Sequence, residues 1–176
     1  PVSSFQFQPF CAMSHNLMRK LLQIIAILYA WVPAYAASTN DLLIDMVAPP
    51  ANVQLGFGWL QPERNDSFSF VWMNHLEADV WVTLDTAIAA DIEIKAVSYY
   101  LNYRSQRLGL YVNGRFIQEW VCRNQSEWLL DTYTSEIPGG VLKPGMNRIT
   151  LRASYRIGDE GHQLAVAVNS IALRWN

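Results

Sequence analysis

Beyond residue 40 the chain alternates apolar and polar residues with a period of two, and no stretch there carries a sustained helical period. Side chains on a strand point alternately to opposite faces, so this pattern restricts the region to half-buried strands of antiparallel sheets. Val80, Val82 and Leu84 share one face, with Trp81 and Thr83 on the other. Ile92, Ile94 and Ala96 alternate with Glu93, Lys95 and Val97. Ile149, Leu151 and Ala153 alternate with Arg148, Thr150 and Arg152, and Leu164, Val166 and Val168 with Ala165 and Ala167. Turn residues stand where strands must end. Asn113-Gly114 separates Leu108–Val112 from Arg115–Val121, and Asn-Gly accepts the positive φ angles of a tight hairpin turn. Pro138-Gly139-Gly140, Lys143-Pro144-Gly145 and Gly158-Asp159-Glu160-Gly161 mark further breaks. The expectation is an all-β fold, an antiparallel jelly-roll sandwich of eight or nine strands over residues 53–176.

The N-terminal part obeys a different rule. Met18-Arg19-Lys20 precedes an uncharged stretch, residues 21–37, rich in Leu21, Leu22, Ile24, Ile25, Ile27, Leu28, Tyr29, Trp31 and Val32. A basic end, an apolar run and the small-x-small Ala34-Tyr35-Ala36 have the build of a secretory signal. The same run sits at the short end of a membrane-spanning helix, which needs about 17–25 residues, with Tyr29, Trp31 and Tyr35 toward one interface. We expect a retained transmembrane helix as anchor, with a cleaved signal as the alternative. Arg19 and Lys20 lie on one flank and Asp41 and Asp45 on the other, which places residues 1–20 in the cytoplasm as a tail. The C-terminal domain then lies outside, in the periplasm of a bacterium. Residues 38–52, with Ser38-Thr39-Asn40-Asp41 and Pro49-Pro50, read as a linker whose Leu42, Leu43, Ile44, Met46 and Val47 form a first strand or a surface contact.

Charge and chemistry narrow the function. A net charge of -2 and a pI near 5.9 give no footprint for nucleic acid. Cys11 and Cys122 lie on opposite sides of the apolar segment and offer neither a disulfide framework nor a zinc spacing. Cys122, beside Trp120 and Val121, reads as a buried, inert thiol. His15, His75 and His162 have no partner at ligand spacing, and no nucleophile elbow, phosphate loop or HExxH is present. The carboxylates, among them Glu63, Asp66, Asp79 and Asp131, fall on turns or polar strand faces. No cofactor, metal or catalytic residue is expected, and the chain is not expected to be an enzyme. Asn65-Asp66-Ser67 and Asn124-Gln125-Ser126 match the glycosylation acceptor pattern and are taken as chance. Large aromatics out of phase with the core remain: Trp59, Trp81, Tyr99, Tyr103 and Trp128 form the candidate interaction surface. Such a face suits stacking on sugar rings or a protein interface.

Several of these residues also carry a family likeness. Gly58-Trp59, Glu63, Trp72 and the strand Ala78–Leu84 make its first half. Leu110-Tyr111-Val112-Asn113-Gly114-Arg115, Ile137-Pro138 and Leu142-Lys143-Pro144-Gly145-Met146-Asn147-Arg148-Ile149-Thr150-Leu151 make its second. The pattern resembles the galactose-binding-like jelly-roll domains of bacterial envelope proteins and membrane glycosyltransferases, over residues 53–176. The resemblance implies a jelly roll and often glycan or protein binding; its motifs mark turns and strand starts and name no ligand. Combined with the anchor, the expected function is that of a non-enzymatic accessory subunit docked on an integral membrane protein complex in the lipid bilayer, of the respiratory or photosynthetic (reaction-centre with light-harvesting) kind. The alternative is a secreted or anchored carbohydrate-binding envelope protein.

Overall fold

The computed structural model describes residues 40–98, 104–123, 128–158 and 163–175. Among them there is no helix, and eleven strands take the chain: β1 (Asn40–Asp45), β2 (Val53–Leu55), β3 (Trp59–Arg64), β4 (Ser69–Met73), β5 (Glu77–Leu84), β6 (Ala90–Ser98), β7 (Arg107–Val112), β8 (Arg115–Val121), β9 (Asp131–Ile137), β10 (Gly145–Ala153) and β11 (Val166–Trp175). They form two antiparallel sheets, one ordered β3-β4-β11-β6-β9 with β1 added alongside β11, the other ordered β2-β5-β10-β7-β8. The arrangement is consistent with a jelly-roll sandwich. The expected apolar segment 21–37 and the tail 1–20 lie outside the described residues.

The core follows from the period of two. In the five-stranded sheet Ala78, Val80, Val82 and Leu84 of β5, Leu108, Leu110 and Val112 of β7, and Ile149, Leu151 and Ala153 of β10 are buried. In the six-stranded sheet the same holds for Ala90, Ile92, Ile94 and Ala96 of β6. All of these belong to a single apolar cluster between the sheets. Each large aliphatic side chain so buried contributes roughly 1.5–3 kcal/mol of transfer free energy.

Strand β11 departs from strict alternation, and a bulge is the reason. Val166 and Val168 point inward, Asn169 is left unpaired between the partners of Val168 and Ser170, and Ile171 and Leu173 then carry the inward stripe. One extra residue moves the buried set from even to odd positions. Along that edge β4 pairs with Ala167 and Val168, and β1 pairs with Ser170 onward. The Asn169 side-chain amide donates to the Ser69 carbonyl at 2.8 Å and its own carbonyl accepts from Met46 N–H at 3.1 Å, so the bulge residue holds both neighbours.

Of the two readings open for the apolar patch in residues 38–52, the structure has the first strand: Asn40–Asp45 pairs in full register with β11 and buries Ile44 completely. The strand count is corrected: residues 53–176 carry ten strands among the described residues, β2 to β11, above the expected eight or nine. Three-residue β2 is too short to display alternation, and β3 contains Pro62, tolerated because β3 is an edge strand.

Buried amides hold the two ends of the β7–β10 pair. At one end Asn113 and Gly114 take φ of 52° and 80°, forming the tight turn between β7 and β8. Asn113 Nδ2 donates to Asn147 Oδ1 and to the Val141 carbonyl, both at 2.8 Å, and its Oδ1 accepts from Arg148 N–H at 2.8 Å. Fully buried Asn147 also accepts from Lys143 N–H at 2.9 Å and donates to the carbonyls of Lys143 and Gly145. At the other end fully buried Gln106 accepts from the N–H groups of Arg107, Ser154 and Tyr155 and donates to the Tyr155 carbonyl at 2.8 Å. Removing such an amide strands several buried partners at about 1–3 kcal/mol each. Asn147→Ala should therefore lower stability by about 3 kcal/mol, read as a fall in the urea midpoint at unchanged slope.

Candidate functional site

Outside the core, the outer face of the six-stranded sheet carries a second apolar cluster. Val71 and Met73 of β4 point inward, so Phe70 and Trp72 stand on the outer face, where they are buried with Val97 and Ala167. Leu60, Phe68, Leu130 and Leu164 pack around them. Trp128 lies on top. Its ring is 5.7 Å from Phe70 and 5.6 Å from Trp72, the latter edge-on at 84°. Phe70 also meets Phe68 and Trp72 edge-on at 5.7 and 5.8 Å. Such edge-to-face contacts favour a fixed arrangement of rings. Phe70 and Trp72 are each 3% exposed whereas Trp128 is 49% exposed, so a rigid aromatic pedestal presents one half-open indole.

Facing Trp128 is the turn between β3 and β4. Asn65 Oδ1 accepts from Ser67 and Phe68 N–H, each at 2.8 Å, and Asn65 N–H donates to the Phe68 carbonyl at 3.1 Å, which fixes the turn. Glu63, Arg64, Asp66 and Ser67 of this hairpin are exposed. Between turn and indole lies an open cleft of about 460 Å³, lined by Glu63, Arg64, Asn65, Asp66, Ser67, Phe70 and Trp128. Its size falls within the usual range for small-ligand sites, about 300–1,000 Å³. An apolar ring on one wall and carboxylate, amide and hydroxyl groups on the other suit a ligand with an apolar face and polar edges.

Of the five aromatics expected to form one surface, the three that lie within the described residues occupy different places. Trp59 turns inward against the core and donates its Nε1 to the Asp79 carbonyl at 2.7 Å. Trp81 is half-buried on the outer face of the other sheet, lying so close over Gly56 that a Cβ there would come within 2.7 Å of its Nε1. Tyr99 and Tyr103 lie outside the described residues. Of the three described, Trp128 alone borders the cleft. The pedestal was missed in sequence, although Phe68, Phe70 and Trp72 at every second position give the signal of an aromatic strand face.

A further groove, of about 610 Å³, runs between β8 and β9, lined by Trp120, Arg123, Asp131 and Tyr133 among others. Trp120 packs on Tyr133 at 5.7 Å and donates Nε1 to the Thr134 carbonyl at 3.2 Å. Behind it Cys122 is 2% exposed. Burial pushes its thiol up to about 11, with nearby Asp131 acting the same way and a hydrogen bond with Tyr133 opposing them. Burial likewise raises the Tyr133 phenol far above its ordinary range. A neutral buried thiol is a poor nucleophile. Thiol labelling of the native Cys11→Ser chain at about pH 8 should leave Cys122 unmodified, with full labelling after denaturation. Because the folded thiol titrates near 11 and its ordinary value is 9.0, this group's contribution to stability should hold below pH 9.0 and fall as pH rises toward 11.

No protein-family model and no curated protein matches the sequence. The fold does have solved counterparts. The chain is similar to a family 35 carbohydrate binding module from Clostridium thermocellum, with a TM-score of 0.50 and 16% identity over 74% of this chain and 96% of that one. It is similar also to the C-terminal CBM6 of a laminarinase from Zobellia galactanivorans, with a TM-score of 0.49 and 13% identity over 76% and 98%. The Podospora anserina GH26-CBM35 β-(1,4)-mannanase gives 0.46 and 11% over 77% of this chain, which spans 27% of that enzyme. At these identities the likeness concerns the fold: the described domain is a β-sandwich of the architecture found in the Clostridium thermocellum module.

Proposed function

We propose that residues 53–176, completed by β1, form a non-catalytic carbohydrate-binding domain that takes a glycan in the cleft beside Trp128. The observation that carries this reading is the half-exposed indole held on buried rings opposite a polar turn. A pyranose has an apolar face, which stacks on an aromatic ring, and equatorial hydroxyls, which need hydrogen-bonding groups at the side. The cleft supplies both. The fold likeness to a carbohydrate binding module supports the assignment, and fold by itself does not make it. Among the described residues no group of three or more His, Cys, Asp or Glu side chains is placed to hold a metal ion. The docked membrane subunit draws no support from the fold or from the cleft. We place the domain on the extracytoplasmic side, delivered there by the apolar segment 21–37, on the strength of Arg19 and Lys20 preceding it.

Calorimetric titration of the full chain with soluble mannan, laminarin and xylan fragments tests the assignment. Binding should be accompanied by a change in tryptophan fluorescence. Trp128→Ala should weaken it by about 30-fold, as loss of an aromatic anchor worth about 2 kcal/mol does. Trp81→Ala should leave it unchanged. Silence across a broad glycan panel would defeat the proposal, and so would binding indifferent to Trp128→Ala.

A further inference from the structure

The charges around the cleft go beyond the general reading and bear on what sort of glycan enters. Across the β3–β4 pair Glu63 stands directly opposite Phe70, and directly opposed residues of antiparallel strands share a face. The Glu63 carboxylate therefore rises from the surface that carries the pedestal. Arg64 also borders the cleft, yet it stands opposite Ser69, on the alternate face. Asp66 sits at the tip of the turn.

Of the twelve described carboxylates five are ion-paired, and these two are among the seven that are not. Glu77, Asp79, Glu93, Glu119 and Asp131 are each matched by Arg152, Arg148, Lys95 and Arg174, Arg107, or Arg123. No ion pair among the described residues engages Glu63 or Asp66. A ligand in the cleft thus meets the half-exposed indole of Trp128 and two carboxylates that make no ion pair among the described residues, with Arg64 also at the border. An aromatic face attracts a cation through its quadrupole, and a carboxylate does so by charge and hydrogen bonding. The same pair of features repels an anion.

We propose that the cleft selects glycans bearing free, protonated amino groups, such as polymers of glucosamine, over neutral glycans, and that it rejects uronates. This rests on the carbohydrate-binding assignment and adds to it the class of sugar. The pyranose stacks on Trp128 while its ammonium group donates to Glu63 and Asp66.

The test compares three oligosaccharides of equal length on the full chain by calorimetry, at about pH 6 and low salt. They are a glucosamine oligomer, its fully N-acetylated counterpart and an oligogalacturonate. The glucosamine oligomer should bind about tenfold more tightly than the acetylated one, since each exposed ion pair is worth up to about a fivefold change in affinity. That preference should shrink as salt is raised and should vanish in the Glu63→Gln, Asp66→Asn double variant, which should bind the amino and acetylated oligomers alike. The oligogalacturonate should bind least. Equal binding of the amino and acetylated oligomers, both lost in Trp128→Ala, would overturn the charge selection and leave the carbohydrate assignment standing. The same holds if the galacturonate binds best through Trp128. Preference for the amino sugar that survives the double variant would place its recognition elsewhere and overturn the inference. Absence of binding by all three and by neutral polysaccharides would remove both.

Discussion

The pairing of β7 with β10 is held at both ends by a buried side-chain amide, and the five-stranded sheet is built around that pair. Asn113 and Asn147 clasp one end and Gln106 the other, each spending almost all its hydrogen-bonding capacity on backbone groups. A slip of one residue would turn Leu108, Leu110, Ile149 and Leu151 out to solvent and would unmake both clasps at once. β5 and β8 then align on these two strands, which fixes the inner face of the five-stranded sheet. The Asn-Gly turn and the Pro-Gly-x-Asn segment look like separate punctuation in the chain. In three dimensions they are the two halves of one hydrogen-bonded knot.

The six-stranded sheet has its own pivot in the bulge at Asn169. Because β11 shifts phase there, its first half pairs with β4 and its second half with β1. Ala167 is thereby presented outward beside Trp72, small enough to leave the outer face open for Phe70, Trp72 and Val97 to be covered by Trp128 and Leu130. The cleft beside Trp128 is in this sense a consequence of packing. An apolar face too large for the sheet to leave in water is covered by Trp128 and Leu130, and the tryptophan is left half in solvent.

Much of the sandwich was legible in the sequence because half-buried strands write their burial directly into alternate positions. Val80, Val82, Leu84, Ile149 and Leu151 were assigned to the core from spacing alone, and the Asn113-Gly114 hairpin from the backbone demands of its turn. What spacing could not show were features that depend on pairs distant in sequence. The partner that turns Asn40–Asp45 into a strand is the far end of the chain. Gln106, an ordinary polar residue locally, becomes a buried hub only when Ser154 and Tyr155 arrive. The site was legible in part: Trp128 was picked out as off-phase, while its pedestal and the facing turn emerge from the β3–β4 pairing and from loops crossing the sheet.

The domain offers two aromatic outer faces, and the way each is neutralised separates them. On the five-stranded sheet the Arg152 guanidinium lies 4.5 Å over the Tyr111 ring and pairs with Glu77 at 2.6 Å. Arg148 lies 5.9 Å over Trp81 and 3.7 Å from Asp79, whose carboxylate also accepts from Thr150 at 2.6 Å. A sugar ring stacking on Trp81 or Tyr111 would have to displace a cation already stacked there and break the ion pair behind it. Exposed ion pairs add little to stability, yet together with the stacking they leave this face with few unmet demands. At the other face the rings beneath Trp128 satisfy only its inner side, and the carboxylates opposite it have no basic partner in the described structure. Unspent aromatic surface and unspent charge coincide there, which is the physical reason for placing the ligand at Trp128 and not at Trp81.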